Sequence, residues 1–163
     1  MFRSANGQEV TMDGIIDRIT RYIAEEPHAA YEITVGTDSQ SHGQTKMVEV
    51  IAVHRRGNGG IYFYNIEFVR RISNLKQKIN EETARSLSIA NGLIDRLELA
   101  LLERDIDIAS LDISFQIHCD IGRYGKTSML IKEITSWVTS YGYVCMIKPD
   151  SYTASGIANK YSK

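Results

Sequence analysis

No run of apolar residues in this chain approaches the roughly 18 needed to cross a bilayer, and the N-terminal MFRSANGQEV lacks the apolar core of a leader peptide. Neither export nor membrane insertion is expected, and the expected location is cytoplasmic. Cysteine is scarce. Cys119 and Cys145 both sit inside apolar runs, which excludes a disulfide framework or a zinc site and suits two reduced core thiols. An excess of charge is lacking too. Nineteen basic and 20 acidic residues give a net charge of −1, which argues against a strongly basic nucleic-acid binder but leaves room for a local basic rim. There is no internal repeat, low-complexity tract or linker. With 163 residues, 43% hydrophobic and 24% charged, the chain is expected to be one globular domain over 1–163, of which 1–28 is an N-terminal helical extension.

What is present is alternation followed by helical periodicity. Ile15, Ile16, Ile19, Tyr22 and Ile23 predict a helix over 11–25, stopped by Pro27. Strands are expected at about 32–39, 47–55 and 61–71. SHGQT forms the first turn, and RGNGG is a strong hairpin signal for the second. Tyr62, Tyr64, Ile66 and Phe68 share one face of the third strand, which is expected to be core or covered by a helix. Leu87, Ala90, Ile94, Leu97 and Leu101 form a stripe on a long helix over 74–104, widened by Ile79, Ile89, Leu93 and Ala100. ISFQIHCD (113–120) is a fourth strand. A helix over 126–141 follows, with Leu130, Ile134, Trp137, Val138 and Tyr141 on one side. YVCMIKP is a fifth strand, and a last short helix starts near Thr153. The order β-β-β-α-β-α-β-α, with strands 1–3 antiparallel and right-handed crossovers after them, predicts an α/β fold: a mixed five-stranded sheet flanked by helices, with an extra helix at the N-terminus.

Four acids then acquire meaning. Asp38, Asp120 and Asp150 each close a short apolar run, and strand direction puts all three run ends, with the upper part of the long helix, at one end of the sheet. Carboxyl ends of strands in open α/β sheets are where ligands bind. On the long helix Glu82 is in register with Ile89, Leu93 and Ala100, whereas Glu81 falls about 80° outside the apolar arc. Glu82 therefore faces the sheet and needs a partner, a metal or a basic side chain. Alone, Asp38 suits an Asx turn, Asp120 a loop start and Asp150 a helix cap. Together they suit the oxygen-rich coordination of Mg2+ or Mn2+ against phosphate.

This order resembles the ribonuclease H-like superfamily. GTDSQ (36–40) is similar to its first-strand aspartate motif. VGTDSQ, EETARSLSIA, HCDIGRYGKT and IKPDSYTASGIANKYSK resemble the YkuK-like family of bacterial proteins, from about residue 32 to the end. The resemblance implies that Asp38 is the strand acid, Glu82 the helix acid and Asp120 the fourth-strand acid. The fourth acid of related nucleases sits on or just before the last helix. ASGIAN offers Ser155 and Asn159 there, so Asp150 is the acid in reach. The implied activity is a phosphodiesterase acting on nucleic acid with Mg2+ or Mn2+, two ions bridged by Asp38.

Other residues have two readings each. GRYGKTS (122–128) lacks the earlier glycine of a P-loop, because position 120 is Asp. Arg123 and Lys126 either hold a substrate phosphate at a helix start or decorate a solvated loop. His42 is a turn histidine or an auxiliary proton carrier. His118 shares the side of Asp120 and either lines the site or partners an acid. Lys148, Lys160 and Lys163 contact a nucleic-acid backbone or are surface charge. Two further function classes stand beside the nuclease. One is an inactive module of the same fold that binds nucleic acid or protein. The other is a phosphate-binding or nucleotide-binding domain of the sugar kinase and actin kind, to which GTDSQSHGQTK bears a passing likeness.

Overall fold

The computed structural model describes residues 1–151, 156–158 and 160–161. Thr153, where the last helix was expected to start, lies outside these residues, as do Ser155, Asn159 and Lys163.

The chain opens with two short strands, β1 (Phe2–Ser4) and β2 (Glu9–Val10), then α1 (Met12–Glu25). The meander follows: β3 (Ala30–His42), β4 (Gln44–Arg55) and β5 (Gly60–Val69). Next come α2 (Leu75–Leu102), β6 (Asp112–His118), α3 (Ile131–Ser140) and β7 (Val144–Met146). Among the described residues the sheet has seven strands in the order β2-β1-β5-β4-β3-β6-β7, not five. The two additional strands have three and two residues, too few to carry a period-two signal. They form because β1 pairs antiparallel with the outer edge of β5 (Arg3↔Tyr64, Ser4↔Phe63).

The remaining topology follows the expected one. β3, β4 and β5 are antiparallel neighbours, and β6 adds parallel to β3 with β7 parallel beyond it. The helix expected over 126–141 is split. Lys126–Leu130 is a 3-10 turn, and α3 begins only at Ile131. Gly125 ahead of the turn has φ +92° and supplies no capping side chain.

The core lies between α1, α2, α3 and one face of the sheet. It contains Ile15, Ile19 and Ile23 of α1, Leu87, Leu93, Leu97 and Leu101 of α2, and Ile33, Val35, Ile51, Phe63 and Ile117 of the strands. The odd-numbered residues of β3 therefore face α2. Its even-numbered residues face the opposite side, where Val48, Val50, Ala52 and Tyr64 pack with Ala158. Tyr64 stacks on Tyr161 at 3.8 Å between ring centroids, so the tyrosine face of β5 is covered at that end. Further along the same face Ile66 and Phe68 are exposed, contrary to the expectation for the whole face. No helix of the described residues is long and apolar enough to cross a membrane.

Candidate active site

The register of three strands determines how the acids meet. β3 pairs with β4 without interruption from Tyr31↔Arg55 to His42↔Gln44, so no bulge disturbs its alternation. β3 pairs with β6 up to Gly36↔His118. Two residues further along each segment stand Asp38, still within β3, and Asp120, just past the end of β6. Gly36, Asp38, His118, Asp120, Ser151 and Ala158 line a hollow there of about 10 Å3. That is close to the least space a water-sized sphere requires.

Asp38 has its carboxyl raised above the usual range, by partial burial first and by repulsion from Asp120 second. A backbone hydrogen bond at Ser39 and the charges of Lys78 and Lys148 act the other way. Asp120 is paired with Lys148, Nζ to Oδ1 at 2.9 Å.

Glu82 arrives from the other side. Thr37 and Ser39 point toward α2, where Thr37 Oγ1 lies 2.8 Å from Ser86 Oγ and Ser39 donates its hydroxyl to Glu82 Oε2 at 2.5 Å. Glu82 is 6% exposed. Burial, then repulsion from Asp38 and Asp120, push its carboxyl up to about 8, against the Ser39 hydrogen bond and Lys78. Its partner is thus a hydroxyl, and the carboxyl stays largely protonated at neutral pH. Glu81, by contrast, is at the surface in an ion pair with Arg85 at 2.8 Å.

Asp38, Glu82 and Asp120 are thereby brought into mutual electrostatic range, with the β3 backbone between Glu82 and the aspartate pair. Among the described residues no group of three or more His, Cys, Asp or Glu side chains is arranged so as to hold a metal ion. The oxygen chemistry of the aspartate pair fits a hard divalent cation, because two carboxylates that repel each other are what such an ion neutralises.

Of the other expected residues His118 lines the hollow, and the rest lie apart from it. Asp150 is exposed in the turn after β7, its N–H bonded to the Ile147 carbonyl at 2.8 Å. It lines a neighbouring groove with Arg123 rather than the hollow. Lys126 is exposed at the start of the 3-10 turn, and His42 is exposed at the hairpin tip, four residues beyond Asp38. His118 is buried, with a ring nitrogen 3.2 Å from Gln116 Oε1. Burial lowers its pKa to about 4, against the charge of Glu32 and a backbone hydrogen bond with Ser151. It is neutral at pH 7. Cys119 and Cys145 are free thiols with their sulfurs 3.9 Å apart.

Sequence reasoning missed Ser39 and Lys78. Ser39 was within reach: alternation about Asp38 turns it toward α2, where Glu82 waits. Lys78 stands one helical turn before Glu82, the spacing at which side chains on a helix meet.

Comparison with known proteins bears on this arrangement. The family model described as Ribonuclease H-like matches residues 14–163. The whole chain aligns with 97% of a Bacillus subtilis (strain 168) protein named "Uncharacterized protein YkuK", at 33% identity. The match begins inside α1, earlier than the residue near 32 at which the motifs start. No solved structure matches the chain.

Proposed function

From the premise that this chain belongs to the Ribonuclease H-like family, we propose that it is a divalent-metal-dependent phosphodiesterase acting on nucleic acid, with Asp38 and Asp120 as its central carboxylates. The observation that carries the reading is the adjacency of these two aspartates, Asp38 in the last third of β3 and Asp120 two residues past β6, with the Asp38 carboxyl raised by burial and by Asp120, and Asp120 paired with Lys148. Membership alone points to nuclease or nucleic-acid-binding function. The acid pair favours the nuclease.

Asp38 and Asp120 are the residues that would hold Mg2+ or Mn2+, with Glu82 the third acid in electrostatic range. When bound, the ion supplies a lowered pKa for its water and neutralises charge on the phosphate. The chain's own residues do the rest. Glu82 holds a proton across the β3 backbone from the pair, in electrostatic range, and positive charge at the pair would favour its loss. Lys148 balances Asp120 until then. His118, neutral and hydrogen-bonded, shapes the hollow and does not titrate near pH 7. A second ion would need Asp150, whose side chain belongs to the adjacent groove, so one ion is the arrangement these residues support best.

One observation favours a second reading. The Lys148–Asp120 ion pair already compensates an acid, as expected of an inactive module that binds nucleic acid. The two readings separate in one experiment. Mn2+ binding is followed by calorimetry, and cleavage is assayed on single-stranded, duplex, hybrid and branched substrates with Mg2+ and Mn2+. The expected result is Mn2+ binding and cleavage, both lost in Asp38→Asn, with Asp150→Asn much milder. The folded state of Asp38→Asn should be as stable as wild type or slightly more so, because one repulsion is gone. Absence of both binding and cleavage in the wild type would overturn the nuclease and leave the inactive module, and activity surviving Asp38→Asn would move the chemistry elsewhere.

A further inference from the structure

Beside the acid pair lies a second depression, of about 530 Å3, between two loops. One loop, Gly122–Tyr124, follows Asp120 and Ile121 past the end of β6; the other, Ile147–Asp150, follows β7. Hydrogen bonds hold both in place. Lys148 N–H donates to the Ile121 carbonyl at 2.9 Å, and Gly122 N–H donates to Thr127 Oγ1 at 3.0 Å. Gly122 is what lets them close together, since a Cβ at that position would stand 3.2 Å from Lys148 Cβ. Lys148 connects the groove to the acids. It lines the groove, and its ammonium reaches Asp120.

The lining combines two cations, Arg123 and Lys148, and one carboxylate, Asp150, with an open aromatic face. Tyr124 is 93% exposed on the groove wall. A single exposed aromatic ring is ordinary on a protein surface. This one follows Arg123, which has no ion-pair partner among the described residues, and shares a groove with Lys148. Cations that follow a backbone, next to a ring that can stack on a base, are the two components of single-strand recognition. A duplex keeps its base faces hidden, so only an unpaired base can lie on such a ring. The groove has the volume of a small-molecule site, enough for about one nucleotide.

We infer that this groove takes the single-stranded part of a polynucleotide, with one unpaired base on Tyr124 and a flanking phosphate at Arg123, and so leads the strand past Lys148 toward Asp38 and Asp120. The inference rests on the nucleic-acid reading above and names its substrate class.

The test is fluorescence anisotropy of the full chain in EDTA, where no cleavage intervenes. The probes are a labelled oligonucleotide of about 12 nucleotides and a blunt duplex of the same sequence. The single strand should bind several-fold more tightly than the duplex. Tyr124→Ala should weaken single-strand binding roughly 10-fold and leave duplex binding unchanged, while Tyr124→Phe keeps wild-type affinity. Arg123→Ala should reduce the dependence of binding on salt. The inference is overturned by Tyr124→Ala binding within roughly twofold of wild type, by a duplex bound as tightly as the single strand, or by no binding at all. Failure here is distinct from failure of the nuclease. A Tyr124-dependent single-strand affinity without cleavage of any substrate keeps the groove and removes the enzyme. Cleavage lost in Asp38→Asn but untouched by Tyr124→Ala does the reverse.

Discussion

Glu82 holds a proton that a solvent-exposed glutamate would have released, and this has a measurable consequence for stability. Its carboxyl titrates at about 8 in the folded chain, against an ordinary value of 4.5. Between those two values the folded state binds a proton that the unfolded state has lost. Stability is therefore greatest below the ordinary value and falls as pH rises toward the folded one. Glu82→Gln is neutral at every pH and keeps an oxygen to accept the Ser39 hydroxyl. Its thermal unfolding should match wild type near pH 5 and exceed it by on the order of 3 kcal/mol at pH 8. Parallel pH profiles for the two proteins would mean that Glu82 is ionised after all. The proposed Mn2+ binding should tighten over the same window, since a cation competes with that proton. Glu82 was legible in the sequence because a helix turns by a fixed angle, about 100° per residue, which leaves Glu81 outside the apolar arc of α2. Its hydroxyl partner was harder to see, because the contact joins residues 43 apart along the chain.

At the scale of elements, α2 is fastened to the sheet by more than its apolar stripe. Arg85 reaches Glu67 of β5 at 2.8 Å, Glu81 one turn back at 2.8 Å and Glu49 of β4 at 3.6 Å. Glu49 is nearly buried and also accepts from Asn65 Nδ2 at 2.8 Å. Arg85→Ala leaves that carboxylate without its cation in a poorly solvated place, and should cost about 3 kcal/mol in chemical denaturation. Arg85→Lys should recover only part, because an ammonium cannot serve three carboxylates with a planar fork. A cost below about 0.5 kcal/mol for the alanine variant would show that the cluster behaves as an exposed one. The elements themselves were legible in proportion to their length. Ile15, Ile19 and Ile23 announced α1, and Leu87, Leu97 and Leu101 announced α2, because each spans several turns. The 3-10 turn at Lys126–Leu130 was not legible, since its residues fit the helical pattern and only the backbone at Gly125 departs from it. Asp150 was placed at the correct end of the sheet by strand direction. Direction alone cannot say that the turn after β7 carries its side chain into a neighbouring groove.

For the molecule as a whole, the seven-stranded sheet differs from the expected five at one edge, and that edge is built by the first ten residues. β1 covers the outer side of β5 at Phe63 and Tyr64, β2 closes onto β1, and Thr11 then caps α1 by accepting from Gly14 N–H at 3.1 Å. Val10 is buried against the same core as α1. A pairing of five residues in total has no periodicity to read, which is why only the folded chain reveals it. Without these strands β5 would lose its partner at Phe63 and Tyr64 and present a longer unpaired edge, and exposed Phe68 and Ile66 lie further along the same strand. Exposed edges of that kind recruit other chains. A chain beginning at Thr11 should therefore unfold at a lower temperature and associate with itself as concentration rises, seen by size-exclusion chromatography with light scattering. The Mn2+ binding proposed at Asp38 and Asp120 should persist, because the acid pair depends on β3 and β6, which the strand order separates from the altered edge by β4. A monomer of unchanged stability would mean that β1 and β2 contribute nothing to the sheet. Loss of Mn2+ binding in a truncated chain that stays folded would tie the N-terminal strands to the site, a dependence that the strand order gives no reason to expect.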